Sequence, residues 1–268
     1  MIAAQRRNNI TEIIIQGGSA KVDELAKHFN VSQETIRRDF IVLEQEGFVQ
    51  KKHGGAIATF ELQKMMEHIS PVSQRMLLNR DEKLRIGEKA AGMVTPGMGI
   101  FLDSGSTVWS MLQFIKKTDN LTIITNSLDI AKDCAEKETW TVIILGGQLI
   151  EKSMCMVGPT AEAQLDQLSI DLAFMGTIGV SSKGECTSSN LFEANLKKTV
   201  TSVARKIVLL ADSTKLGKSA HFTFARFSQL HTIITTDKAD NELKNAALAA
   251  NTQLIMVPAN NICLENDE

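Results

Sequence analysis

Tyrosine is absent from the 268 residues, and only two tryptophans, four prolines and four cysteines occur. The lack of tyrosine, like the eleven methionines, points to no function. The cysteines are more telling. Cys134, Cys155, Cys186 and Cys263 stand singly with no C-x-x-C pair, which speaks against a disulfide framework or a zinc site and predicts reduced, mostly buried thiols with no metal and no cofactor. No apolar run approaches the roughly 20 residues that a spanning helix needs. The opening stretch Met1–Ile10 lacks the apolar core of a secretory leader, so a cytoplasmic chain without membrane contact is expected. Excess charge is missing too: the net charge is -2, and the first 58 residues carry 8 Lys and Arg against 7 Asp and Glu. Any basic surface must therefore be local.

What is present is apolar content of 43%, enough to build a sizeable core in one large domain or two. Ile10, Ile13 and Ile14 recur at helical spacing from Gln5 to Gln16, and Gly17-Gly18 ends that segment. Val22, Leu25, Ala26 and Phe29 form one face of a second helix. After the tight link Asn30-Val31, Ser32 is placed to cap a third helix reaching about Glu46, with Ile36, Phe40 and Leu43 as its buried stripe. The stretch Phe48 to Ala56 reads as two short strands meeting at a turn, a wing. Residues 1–58 are thus expected to form a winged helix-turn-helix domain, 59–79 a linker, and 80–268 an α/β domain.

Three short helices followed by a hairpin place the third helix in the DNA major groove and the wing on the backbone. With the apolar stripe inward, Gln33, Glu34, Arg37 and Arg38 point outward, and these types suit adenine, cytosine and guanine edges. Ser32 and Thr35 at the helix start can hold a phosphate. Lys51, Lys52 and His53 in the hairpin, with Arg6 and Arg7 on the first helix, offer sequence-independent phosphate contacts. Taken alone, Arg37-Arg38 reads equally as a solvated patch paired with Glu34 and Asp39. The combination with a capped helix and a basic hairpin favours DNA.

Beyond the linker, strand-like runs at 100–102, 121–125, 141–145, 172–175, 206–211 and 232–235 alternate with helix-like segments at 80–93, 107–115, 161–168, 190–204 and 241–250. This alternation marks a mostly parallel sheet covered by helices. The first strand runs into Asp103-Ser104-Gly105-Ser106-Thr107, the next into Thr125-Asn126-Ser127, and the third into Gly146-Gly147. In open α/β sheets ligands bind at the strands' carboxyl ends. If these strands are neighbours, the three loops converge on one pocket fit for a small sugar phosphate, an anion carrying hydroxyls. Independent caps and turns are the blander alternative.

Val31-Ser32-Gln33-Glu34-Thr35-Ile36-Arg37-Arg38-Asp39, Leu43-Glu44 and His53-Gly54-Gly55-Ala56 resemble the signature of the DeoR family of bacterial regulators, with Phe40 where that family usually has Leu. The resemblance extends over nearly the whole chain. It implies a C-terminal domain similar in fold to ribose-5-phosphate isomerase, whose D-x-G-[ST]-T and T-N-[SN] loops hold a phosphorylated effector. Asp103–Thr107 and Thr125–Ser127 match those loops, and Asp212 to Gly217 matches a late D-x-[ST]-K-[FYL]-G segment. Lys215 there supplies either a phosphate counter-charge or an ordinary surface charge. The expected protein is a repressor of a carbohydrate operon, a homodimer or homotetramer released from operator DNA by a sugar phosphate.

The alternative is an isomerase-like enzyme carrying a DNA-binding domain. Isomerisation needs a base to move a proton between adjacent carbons, and the isomerases that resemble this domain use an acidic D-G-A-D-E loop. Met175-Gly176-Thr177-Ile178-Gly179 stands in its place without a carboxylate, although Lys183-Gly184, Glu193 and Lys197 leave part of such a site. No catalysis is therefore expected. A cysteine- or histidine-based redox or metal sensor finds no support in the spacing.

Overall fold

A computed structural model of the protein describes residues 3–17, 19–59, 72, 75–76, 78–116 and 120–259. Most of the 59–79 segment, Gly18 and Cys263 lie outside the described residues. The chain divides into two compact units, Met1–Ser70 and Pro71–Glu268.

In the first unit, helices α1 (Ala3–Gly17), α2 (Val22–Phe29) and α3 (Gln33–Gln45) precede a hairpin of β2 (Val49–Lys52) and β3 (Gly55–Ala58). The periodic apolar residues meet as expected: Ile10, Ile14, Leu25, Ile36, Phe40 and Leu43 are each at most 2% exposed, and Val49 and Ala56 close the cluster. Burial of each large side chain contributes about 1.5–3 kcal/mol. Asn30 adopts φ 50°, ψ 50° and donates its N–H to the Ala26 and Lys27 carbonyls. That left-handed cap, which Asn tolerates, turns the chain sharply enough for Ser32 to start α3 two residues later. Sequence reading missed β1 (Ser19–Lys21), which pairs antiparallel with β3. Three residues are too few to show an alternation. The pairing explains the Gly-Gly step: Gly54 turns at φ +80°, while a Cβ on Gly55 would lie 2.3 Å from the Ala20 carbonyl oxygen.

In the second unit, β4 (Gly99–Leu102), β5 (Thr122–Thr125), β6 (Thr141–Ile144), β9 (Leu172–Gly176), β12 (Ile207–Leu210), β14 (Thr232–Thr236) and β15 (Gln253–Val257) form one parallel sheet. Its order is β15-β14-β12-β9-β4-β5-β6. Ile100, Leu102, Phe174 and Leu210 pack with Ile86 of α4 (Arg80–Ala91) and Ile130 of α6 (Leu128–Ala135). Phe101, Met175 and Leu209 pack on the other face with Leu165 of α7 (Pro159–Leu165), Val200 of α8 (Leu191–Val203) and Leu243 of α9 (Asn241–Ala249). Helices on both faces are why these strands read as continuous apolar runs. The α/β expectation holds for this unit.

Several elements differ from expectation. The helix expected at 107–115 is a single turn, α5 (Ser106–Trp109), followed by a 3-10 turn at Leu112–Phe114. The Ser110 hydroxyl sits 2.7 Å from the Thr107 carbonyl and 2.9 Å from that of Lys83, a side-chain competition that breaks the helical ladder. Elements α6 and β15 were not anticipated, nor was the hairpin of β7 (Gln148–Ile150) and β8 (Cys155–Val157). A small antiparallel sheet of β10 (Gly179–Val180), β11 (Glu185–Ser188) and β13 (Phe222–Arg226) was also unforeseen. From β4 the chain builds β5 and β6 on one side, then returns to lay β9 on the other. The β4–β9 boundary is the topological switch point, where an open α/β sheet leaves a crevice at its carboxyl edge.

Candidate functional site

The first unit offers a polar surface on α3. Ser32 Oγ accepts from the Thr35 N–H at 3.1 Å, and the two hydroxyls lie 2.8 Å apart. These two residues therefore form the cap that fixes where α3 begins. Gln33, Glu34, Arg37 and Arg38 are exposed. Glu34 lies 3.7 Å from both Arg37 and Arg38, and such solvated ion pairs are worth at most about 1 kcal/mol, so they yield readily to another partner.

Arg6 is not a surface group. It is 8% exposed, and its Nε lies 2.6 Å from Oδ2 of Asp39 on α3, with Arg7 3.8 Å from the other carboxylate oxygen. Asp39 is thus spent inside the unit rather than on Arg37 or Arg38. In the wing, Lys51 is held by Glu44: its N–H donates to Oε1 at 2.8 Å, and Nζ lies 3.0 Å from Oε2. Those contacts hold the Glu44 carboxyl below its ordinary range. Lys52 and His53 are exposed at the hairpin tip.

In the second unit a cavity of about 330 Å³ opens at the switch point. The loop after β4 contributes Ser104 and Gly105, the end of β9 contributes Gly176, Thr177 and Ile178, and the hairpin contributes Ile150, Lys152 and Ser153. Ser188, Ser189, Asn190, Glu193 and Lys197 line it from the start of α8, and Arg75 completes it. The start of α8 is fixed by Asn190, whose Oδ1 accepts from the Phe192 and Glu193 N–H groups. One turn apart on the helix, Glu193 and Lys197 then face the same side.

Lys197, 8% exposed, donates to Asp103 and, at 2.8 Å, to the Gly176 carbonyl; Asp103 Oδ2 also accepts from the Gly176 N–H at 2.8 Å. This buried pair clamps the β4 loop to the end of β9. Glu193 accepts from Ser153 Oγ at 2.7 Å and from Ser188 Oγ at 3.2 Å. Cys155 lies beside it, 3.1 Å from Ser153 Oγ, and burial pushes its thiol up to about 11. At neutral pH it is a protonated packing group, not a nucleophile.

The structure does not bring all the expected loops together. Ser104 and Gly105 line the cavity, and Asp103 supports it from behind. Ser106 and Thr107 are buried in α5. Thr125 Oγ1 donates to the Leu102 carbonyl at 2.6 Å, and Ser127 caps α6. Asn126 donates to the Met156 carbonyl at 3.3 Å, and its own buried Oδ1 has no partner among the described residues. The reason is the hairpin: β8 pairs along residues 126–128 through the Met156 N–H to Asn126 and the Leu128 N–H to Met154. It covers that loop and presents Ile150, Lys152 and Ser153 to the cavity instead. Gly146 and Gly147 lie outside the lining too. The Gly146 N–H donates to Gln164 at 3.0 Å, and Gly147 sits at φ +143° against the Val157 carbonyl.

Lys215 is not among the lining residues. Burial lowers its pKa, and the Arg75 and Lys218 charges act in the same direction. The neighbouring Asp212 carboxylate acts the other way and offsets part of the Lys215 charge. Sequence reading missed Arg75, Lys152, Ser153 and Ser188–Asn190 as lining residues. Ser104 and Gly105 were expected there, whereas Glu193 and Lys197 were singled out only as part of an isomerase-like site. Among the described residues no helix is long and apolar enough to cross a membrane.

The family described as DeoR C terminal sensor domain matches residues 78–238, and the DeoR-like helix-turn-helix domain matches residues 6–60. The chain is 35% identical to the HTH-type transcriptional regulator IolR of Bacillus subtilis, over 88% of this chain and 92% of that one. It is 28% identical to the glycerol-3-phosphate regulon repressor of Escherichia coli, over 88% and 91%. Among solved structures, ribose 5-phosphate isomerase A of Methanocaldococcus jannaschii matches at TM-score 0.39 and 21% identity, over 52% of this chain and 55% of that one. That likeness is too distant to bear on the chemistry of the cavity.

Proposed function

Because the chain belongs to the DeoR family of DNA-binding transcriptional regulators, we propose that it is a repressor released from its operator by a small sugar phosphate held in the switch-point cavity. The observation that carries this reading is the pairing of charge and size in that cavity. Arg75 and Lys152 stand beside Glu193 and the internally neutralised Lys197–Asp103 pair in about 330 Å³, a volume at the small end of ligand pockets. The cations suit a phosphate. Ser104, Ser189, Asn190 and Glu193 suit the hydroxyls of a short polyol. The name of the Escherichia coli relative, which refers to glycerol 3-phosphate, is consistent with that class of effector.

On the DNA side, Gln33, Glu34, Arg37 and Arg38 address base edges, while Ser32, Thr35, Lys52 and His53 address phosphates. Lys51 contributes once Glu44 releases it. Operators of such proteins are read by paired helix-turn-helix units, so the working form is a homodimer or homotetramer. Catalysis is not part of this reading: Lys197 is committed to Asp103 and Gly176, and Glu193 to two hydroxyls.

The test is binding of the purified protein to DNA from its own gene neighbourhood at fixed salt, with a panel of sugar phosphates added. Release by one compound supports both roles and names the effector. Specific binding that no compound alters removes the effector half of the proposal. Linkage adds a check, since a ligand that weakens operator binding must itself bind less well to the operator complex.

A further inference from the structure

We infer that Ile41 on α3 reads a thymine by covering its C5-methyl in the major groove; the inference rests on the operator-binding reading of this surface. Ile41 is 43% exposed. The stripe that α3 buries, Ile36, Phe40 and Leu43, is complete without it. Helical geometry puts Ile41 in one row with Gln33 and Arg37, at successive steps of four residues, about 6 Å apart along the axis. The Arg37 guanidinium indeed reaches back to Gln33 Oε1 at 3.5 Å. The row spans about 12 Å, about three and a half base steps at 3.4 Å each.

The setting of Ile41 selects the occupant. It lines a concavity of about 460 Å³ between α3 and the wing, together with Arg37, Lys51, Lys52 and His53, over Phe40. A partner filling that space must carry anionic charge at its edges and an apolar group between them. A DNA strand does both: its phosphates lie along the groove wall, and the thymine methyl is the one apolar group that the major-groove edge presents. Arg37 and Gln33 supply hydrogen bonds in the same row, and Ile41 supplies the contact that hydrogen bonds cannot make.

The experiment uses the full chain. Binding sites are selected from a random duplex library, and each thymine of the selected site is then replaced by uracil, which removes only the methyl group. The expected result is one thymine per half-site whose replacement weakens wild-type binding about fourfold, the worth of one buried methyl. Ile41→Ala should be indifferent to that replacement and should lose its preference at that base pair alone, with an unchanged thermal midpoint. Uracil effects that are equal in the two proteins, or an Ile41→Ala loss spread evenly over all sequences, would overturn the inference. The control is Arg37→Ala. If it changes preference at another position while Ile41→Ala changes none, the operator reading stands and the thymine contact falls. If the wild type enriches no sequence, the operator reading falls, and this inference with it.

Discussion

Arg6 on α1 and Asp39 on α3, 33 residues apart, form a buried ion pair in which Nε lies 2.6 Å from Oδ2 and Nη2 lies 3.3 Å from Oδ1. The pair ties the first helix to the DNA-reading helix from the inside. Removing Arg6 leaves the buried Asp39 with only the longer 3.8 Å contact to Arg7, whereas removing both partners leaves no buried carboxylate. Arg6→Ala should therefore destabilise the first unit by about 3–5 kcal/mol. The double replacement Arg6→Met, Asp39→Leu should recover most of that loss. Denaturant unfolding of the three proteins checks this, and additive losses in the double variant would show that the pair is not coupled.

On the outer face of α3 the effects separate by partner. Arg37→Ala should cost about 1–3 kcal/mol at its cognate base pair and relax selectivity there, while Lys52→Ala should weaken binding to all sequences alike and reduce the salt slope by about 1. Titrations of cognate and scrambled duplexes at several salt concentrations distinguish the two. Unchanged operator affinity in both variants would place the reading surface elsewhere.

In the cavity, Glu193→Gln keeps the shape of the side chain but removes its charge. A hydrogen bond to a charged group contributes about 1.5–3 kcal/mol, so the effector concentration needed to release DNA should rise at least about tenfold. The thermal midpoint should move little, because Gln can still accept from one of the Ser153 and Ser188 hydroxyls through its oxygen and donate to the other through its amide N–H. Release at an unchanged concentration would reduce Glu193 to a fastener of the β7–β8 hairpin.

Adjacent glycines should behave differently. A Cβ on Gly147 would lie 2.5 Å from the Val157 carbonyl oxygen at φ +143°, whereas one on Gly146 would meet only the end of the Gln164 side chain at 3.2 Å. Gly147→Ala should lower stability by about 1–3 kcal/mol or more, from backbone strain and the forced shift of β8. Gly146→Ala should cost less. Thermal unfolding measures both, and equal effects would refute the close approach as the reason for glycine at 147.

The sequence by itself determined the local architecture. Periodicity named the core of the first unit, Ile36, Phe40 and Leu43 among it, and Ser32, Asn30 and Gly54 marked where its helices and wing turn. In the second unit the apolar runs gave strands and the alternation gave an α/β fold. These features were legible because they depend on residues a few positions apart. Strand order was not legible, because strands buried on both faces are apolar throughout and carry no mark of their neighbours. Only the tertiary structure set β9 beside β4, and so brought Gly176 and Lys197 to Asp103 across separations of 73 and 94 residues, with Glu193 one turn from Lys197. Likewise, only the fold laid β8 over residues 126–128 and removed Asn126 and Gly147 from the cavity their loops predicted. The same holds for Arg6, a surface cation by its sequence and a core cation by its pairing with Asp39: parallel strand pairing and buried charge pairing are decided by distant partners, which local spacing cannot encode.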